Sequence, residues 1–211
     1  MRKATWYFDF ISPFAYLQFH RLDALPDDLD VTLKPVLFAG LLKNWGQLGP
    51  AELPTKRVFV YRYFQWLADR RGIPFKMPPS HPFQPLHVLR LAIAAGSDRT
   101  SVGTIFEHIY VAGNQPDDPQ SITALAEKLG IDDAEARLGD PNVKDTLKRN
   151  TEEAIAAGAF GVPTFVVDGE VFWGDDATDM VIDYLANPEL FKSDEMVRLA
   201  TMPMGIVRRQ S

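Results

Sequence analysis

Ser12 stands directly before Pro13, at the end of the aromatic run Trp6-Tyr7-Phe8-Asp9-Phe10-Ile11. A serine followed by proline is a common way to begin a helix. The hydroxyl caps free backbone N–H groups, and proline at the first helical position lacks only an N–H that would have no partner there. The same place favours negative charge, because unpaired N–H groups and the helix macrodipole point at it. Ser12 is therefore either a helix cap alone or a cap whose hydroxyl also serves an anion. Asp9 alternates away from Phe8 and Phe10 and is expected to be a partly buried carboxylate near Ser12, tuning proton transfer or holding structure. The chain has no cysteine. That excludes disulfides, a CxxC redox pair, Cys-ligated zinc, Fe–S clusters and a cysteine nucleophile of its own. His20, His81, His87 and His108 lack metal-ligand spacing, so each is expected to be a surface or internally satisfied histidine, and no metal site is expected.

Other candidates lie far along the chain. Val162-Pro163 sits where an ordinary trans proline would open a strand. Trp173-Gly174-Asp175-Asp176 has the make-up of a strand-to-helix turn, with Asp176 placed to cap the helix. Lys43, Asn44 and Gln47 fall in an expected loop after the second strand, where a lone lysine is ordinarily solvated. Tyr61, Phe64 and Trp66 match a helix core stripe and its flank, and some could line a pocket.

These residues must be positioned by elements legible in the pattern. Residues 4–11 are short, aromatic and β-branched, as in a strand; a helix follows to Pro26, and residues 30–38 form a second strand. Strand–helix–strand favours a parallel pair with a right-handed crossover. From about 40 to 158 the chain shows helices only. They run from Pro54 to Arg71 (Val58, Tyr61, Phe64, Leu67 and Ala68 on one stripe), Pro85 to Ala95, and 99 to 112, then from Pro119 and Pro141, with glycines at the exits. Asp132 with Glu135 resembles a capping box. Asp168-Gly169 predicts a hairpin between Thr164–Val167 and Glu170–Trp173, followed by a helix over about 177–185. Residues 187–211, with Pro188, Pro203, Gly205 and Arg208-Arg209, are expected to be irregular.

Composition bounds the function. Of 211 residues, 46% are hydrophobic and 24% charged, which fits an ordinary globular chain. Twenty-two basic against 28 acidic residues leave a net charge of −6, so a nucleic-acid or anionic-membrane surface is not expected. The apolar N-terminal stretch is broken by Asp9 and Ser12-Pro13, and no run approaches the ~20 apolar residues of a membrane span. A soluble cytoplasmic protein is the expectation.

The run Phe8-Asp9-Phe10-Ile11-Ser12-Pro13-Phe14-Ala15-Tyr16 resembles the FDFxSPxxY opening of the 2-hydroxychromene-2-carboxylate isomerases, relatives of the kappa-class glutathione transferases in the DsbA-like branch of the thioredoxin superfamily. Phe160-Gly161-Val162-Pro163-Thr164-Phe165 resembles their FGVPTF signature, followed by Phe172-Trp173-Gly174. Lys43-Asn44-Trp45-Gly46-Gln47 is similar to their KATGN loop, and Arg71-Gly72-Ile73-Pro74-Phe75 matches a common turn. The resemblance spans roughly residues 4–185. It implies an α/β, thioredoxin-like fold with a large all-helical insertion: residues 1–39 and 159–190 as the thioredoxin-like domain, 40–158 as the insertion and 191–211 as a C-terminal tail.

The resemblance also implies roles. Thioredoxins and DsbA place a reactive cysteine where Ser12 stands. Here the thiolate would belong to glutathione, with the Ser12 hydroxyl donating to its sulfur. Val162-Pro163 would be cis, and the Val162 N–H and C=O would pair the cysteinyl backbone of glutathione as an added strand does. Trp173, Gly174, Asp175 and Asp176 would hold its γ-glutamyl end, with Asp176 on the ammonium, although the usual WGNDR changes here at Asp175 and Ala177. Lys43 would face the substrate carboxylate, with Asn44 beside it, and Gln47 would stand where an asparagine normally contacts glutathione or substrate. The expected activity is glutathione-dependent isomerisation of an aromatic 2-oxo acid by a homodimer. The alternatives are a kappa-like glutathione transferase or peroxidase, and a non-catalytic glutathione or peptide binder.

Overall fold

A computed structural model describes residues 1–206. The element order is β1 (Arg2–Phe8), α1 (Pro13–Phe19), β2 (Leu29–Pro35), α2 (Phe38–Trp45), α3 (Pro54–Arg71), α4 (Leu86–Ala94), α5 (Arg99–Tyr110), α6 (Pro119–Lys128), α7 (Ala134–Gly139), α8 (Pro141–Ala156), β3 (Thr164–Val167), β4 (Glu170–Trp173), α9 (Thr178–Ala186) and α10 (Asp194–Ala200). The sheet runs β2-β1-β3-β4. β1 and β2 pair in parallel, and β3 lies antiparallel to β1 with Trp6 opposite Phe165. The hairpin expected at Asp168-Gly169 is present, both residues at positive φ (52° and 88°), which fits the right-handed twist of the strands it joins.

β1 is the central strand, and its alternation feeds two cores. Ala4, Trp6 and Phe8 point into the larger one, where Trp6 stacks on Phe8 at 4.5 Å and Phe106 of α5 packs against both. Tyr7 points the other way, against Val36, Leu41, Ala154 and Val162. The larger core runs from the sheet without interruption into α3, α4, α5 and α6 through Leu67, Leu89, Ile109 and Leu125. The helical block and the sheet therefore share their apolar interior. Burying such a set of large side chains stabilises the fold by roughly 1.5–3 kcal/mol per residue before entropy is subtracted.

Several expectations require correction. β1 ends at Phe8 instead of residue 11, because Asp9 and Ile11 are drawn into a turn: the Asp9 carboxylate accepts the Ile11 N–H and the Asp9 carbonyl accepts the Ser12 N–H. β2 covers 29–35, and the segment holding Lys43 and Asn44 is helix α2 instead of a loop. Gly46 is that helix's left-handed C-cap, at φ 63°. On α3 the buried face is Val60, Phe64, Leu67 and Ala68, which leaves Val58 half exposed. Asp133, one residue after the expected Asp132, caps α7 by accepting the Ala136 N–H. The C-terminal segment is not wholly irregular. Ser193 caps α10, which buries none of its side chains. Arg208-Arg209 lie outside the described residues.

Candidate active site

The turn from β1 into α1 places Ser12 where the sequence pattern put it. Its backbone is extended (φ −96°, ψ 110°), its Oγ accepts the Ala15 N–H at 3.3 Å, and Pro13 follows at the first helical position. The Ser12 hydroxyl donates to the carbonyl of Val162 at 3.4 Å, across 150 residues of sequence. That contact is long for an O–H donor, so the hydrogen is only weakly committed. Val162-Pro163 is cis, and Gly174 N–H donates to Pro163 O at 2.9 Å, joining this bend to the next turn. The Val162 N–H has no acceptor among the described residues.

Ser12 and Val162 line a cavity of about 500 Å³, as do Gln47 and Trp173. Phe14, Val60, Phe64 and Phe83 line its apolar wall, and Lys56, Tyr61 and His81 supply polar groups. A shallow depression of similar size between α1 and α5, lined by His20, Asp23, Arg99 and Glu107, holds none of the residues expected to do chemistry. Trp173 is half exposed and lies over Phe160 at 5.1 Å. It also sits so close to Gly161 that a Cβ there would lie 2.4 Å from its indole nitrogen. Glycine at 161 is what lets the indole fold across the cleft.

Asp9 is fully buried on the cavity wall, not partly buried as expected. Its two oxygens accept the N–H groups of Ile11 (3.0 Å) and Phe38 (2.9 Å), tying the end of β1 to the start of α2. Burial pushes its carboxyl up to about 7, against the two N–H bonds, which favour the charged form. Burial lowers His81, opposed by its bond to the Ile11 carbonyl. Burial also raises the Tyr61 hydroxyl.

The turn after β4 is organised from within. Gly174 adopts φ 97°, and a Cβ on it would lie 2.5 Å from Asp176 Oδ1. Its carbonyl accepts from Gln18 Nε2 (2.8 Å), while Gln18 Oε1 accepts the Trp6 indole N–H (2.7 Å). Asp175 is buried and receives both arms of the Arg71 guanidinium at 2.8 and 2.7 Å. Arg71 comes from the end of α3 and supplies a guanidinium to a turn whose own sequence has Ala177 where the related motif has arginine. Asp176 is exposed and does not cap α9, whose first residue follows Ala177 with no side-chain cap bond. A 3₁₀ turn over 175–177 occupies the place where a capping geometry was expected.

The structure thus brings Ser12, Val162, Trp173 and Gln47 to one cavity, with Pro163 and Gly174 bonded beside them. It does not bring Lys43 or Asn44, which are exposed on α2, nor Asp175, which is buried against Arg71, nor the exposed Asp176; none of the four lines the cavity. The cation on the cavity is Lys56, in the first turn of α3. A lysine there opposes the helix macrodipole, and that mismatch was the available signal. His81 is internally satisfied, as expected, but it also lines the cavity, which its spacing could not reveal. Phe64 and Tyr61 line it too, whereas Trp66 is half exposed and stacks on Tyr63.

Comparison with known proteins agrees with this fold. A family model described as DSBA-like thioredoxin domain matches residues 5–186. "Glutathione S-transferase kappa 1" of Homo sapiens is 27% identical over 207 residues, covering 87% of this chain and 91% of that protein. "2-hydroxychromene-2-carboxylate isomerase" of Pseudomonas putida is 28% identical over 183 residues, covering 83% and 90%. Among solved structures, a 2-hydroxychromene-2-carboxylate isomerase superposes with a TM-score of 0.78 at 25% identity, covering 94% of this chain and 97% of that one. These matches bear out the family resemblance. The chain belongs to the DSBA-like thioredoxin domain family.

Proposed function

We propose that the protein is a glutathione-dependent isomerase of 2-hydroxychromene-2-carboxylate or a similar aromatic 2-oxo acid. The observation that carries this is the pairing of Ser12 with the cis Val162-Pro163 bend on one cavity, in a chain with no thiol of its own. The residues fit glutathione. The unpaired Val162 N–H suits an extended peptide lying alongside it, and the loosely held Ser12 hydroxyl suits a sulfur acceptor. Bound glutathione supplies a thiolate able to add to and leave a conjugated double bond, dividing one high rotational barrier into lower steps. The protein's own residues do the rest. Ser12 turns its hydrogen from Val162 O to the sulfur and holds the thiolate form. Val162 fixes the peptide by its N–H and carbonyl. Asp176, the exposed carboxylate of the second turn, meets the ammonium. Lys56, placed where Lys43 was expected, draws the substrate carboxylate and steadies negative charge that develops beside it. Phe14, Phe64 and Phe83 exclude water from the aromatic body.

The isomerisation of hydroxychromene carboxylate, followed by absorbance with and without glutathione, tests this. Activity is expected to require glutathione and to fall at least about 100-fold in Ser12→Ala. Full activity in that variant, or turnover indifferent to glutathione, overturns the proposal. A kappa-type transferase is the second reading, favoured by the 27% identity to the human protein of that name. Conjugation of an aryl halide faster than isomerisation would select it.

A further inference from the structure

His81 and Tyr61 form a hydrogen-bonded pair on the cavity wall, tethered one peptide from Ser12. His81 Nε2 lies 2.7 Å from the carbonyl oxygen of Ile11. A carbonyl oxygen can only accept, so Nε2 carries a hydrogen. Burial disfavours the charged ring, and in the neutral ring Nδ1 is then an acceptor. Tyr61 Oη lies 2.8 Å from that Nδ1 and 2.6 Å from the backbone carbonyl of His81. Both partners accept, and a phenol has one hydrogen. That hydrogen is therefore spent inside the protein, and what Tyr61 offers the cavity is a lone pair. The surrounding wall of Phe14, Val60, Phe64 and Phe83 is apolar. A neutral donor on an aromatic body fits such a wall, whereas an ammonium stripped of water does not.

We propose that Tyr61 is a specificity residue that accepts a hydrogen bond from a hydroxyl on the aromatic substrate, and that His81 is the residue that positions it. The inference rests on the cavity being the aromatic-acid site of the proposed function. It divides aromatic 2-oxo acids into those that carry a ring hydroxyl and those that do not, and it selects the first group. His81 acts through Tyr61: with Nδ1 and its own carbonyl it holds the phenol by two acceptors, so the lone pair keeps its direction.

Binding of two unreactive acids to the full-length protein tests the assignment without turnover. By titration calorimetry, 2-hydroxycinnamate is expected to bind roughly tenfold more tightly than cinnamate, the size of one well-made hydrogen bond in an apolar site. Tyr61→Phe should erase that preference and leave cinnamate affinity unchanged. His81→Gln keeps a donor for the Ile11 carbonyl but removes Nδ1. It should narrow the preference while the thermal midpoint stays put. Equal affinities in the wild type, or a preference that survives Tyr61→Phe, overturn the assignment of Tyr61. An unchanged preference in His81→Gln overturns that of His81. Failure here is separable from failure of the isomerase proposal. Glutathione-dependent turnover without hydroxyl preference keeps the reaction and discards Tyr61. A Tyr61-dependent preference without turnover does the reverse.

Discussion

Asp9, between β1 and α1, and Asp175, between β4 and α9, are the two fully buried carboxylates among the described residues. Both lie in turns that carry a strand into a helix, yet they are held in different ways. Asp175 meets a guanidinium that matches both its oxygens, so its charge is neutralised where it sits. Asp9 meets only the N–H groups of Ile11 and Phe38, and burial lifts its carboxyl to about 7. One turn is pinned by a permanent ion pair. The other, which carries Ser12, contains a group whose charge changes near neutral pH. The difference separates a turn held by paired charge from one held by backbone dipoles.

The largest effect is expected on removing Arg71. Arg71→Ala leaves Asp175 charged and buried, and the expected loss is about 3–5 kcal/mol in a denaturant melt. Adding Asp175→Asn should recover part of it; a loss under about 1 kcal/mol would mean that the second turn is not pinned by charge. The next effect concerns Asp9. Its folded value of about 7 stands above its ordinary 3.8, so the native state holds the extra proton between them. Its contribution to stability is therefore full below about pH 4 and is lost as pH rises through about 7, at no more than roughly 1.4 kcal/mol per pH unit. Melts across that window should show the slope, and Asp9→Asn should flatten it. A wild-type profile that rises instead would contradict the picture of a carboxyl held by dipoles alone. The smallest stability effect is expected at Asp176. Because it is exposed and caps nothing, Asp176→Ala should change the unfolding free energy by less than about 0.5 kcal/mol while weakening glutathione binding several-fold by calorimetry. A large loss of stability with unchanged affinity would make it scaffold as well.

What could be foreseen depended on how local its cause was. The hairpin at Asp168-Gly169, the run of α3 from Pro54 to the glycine at 72, and the cap at Ser12 each rest on neighbouring residues, so their types announce them. Helix α2 is not legible in the sequence, because Leu37 begins it without a capping side chain and Gly46, its left-handed exit, resembles a loop glycine. Because that segment is helical, Lys43 and Asn44 do not line the site expected of them. Arg71 with Asp175 is a contact across 104 residues, and Tyr61 with His81 depends on how α3 meets the segment before α4. No spacing in the chain encodes such pairs. They arise from packing, as do the placing of Lys56 on the cleft and of a satisfied histidine in its lining.

The strand order has a consequence for synthesis. β1 emerges first and finds β2 soon after, but its other edge waits for β3, which begins at Thr164. At ribosomal speeds of ~5–20 residues per second, that edge stays open for roughly 8–30 seconds. It is rich in Trp6, Tyr7 and Phe8, and an unpaired apolar edge invites other strands. The nascent chain therefore has a period in which it needs shielding, and a ribosome stalled before Thr164 would prolong it.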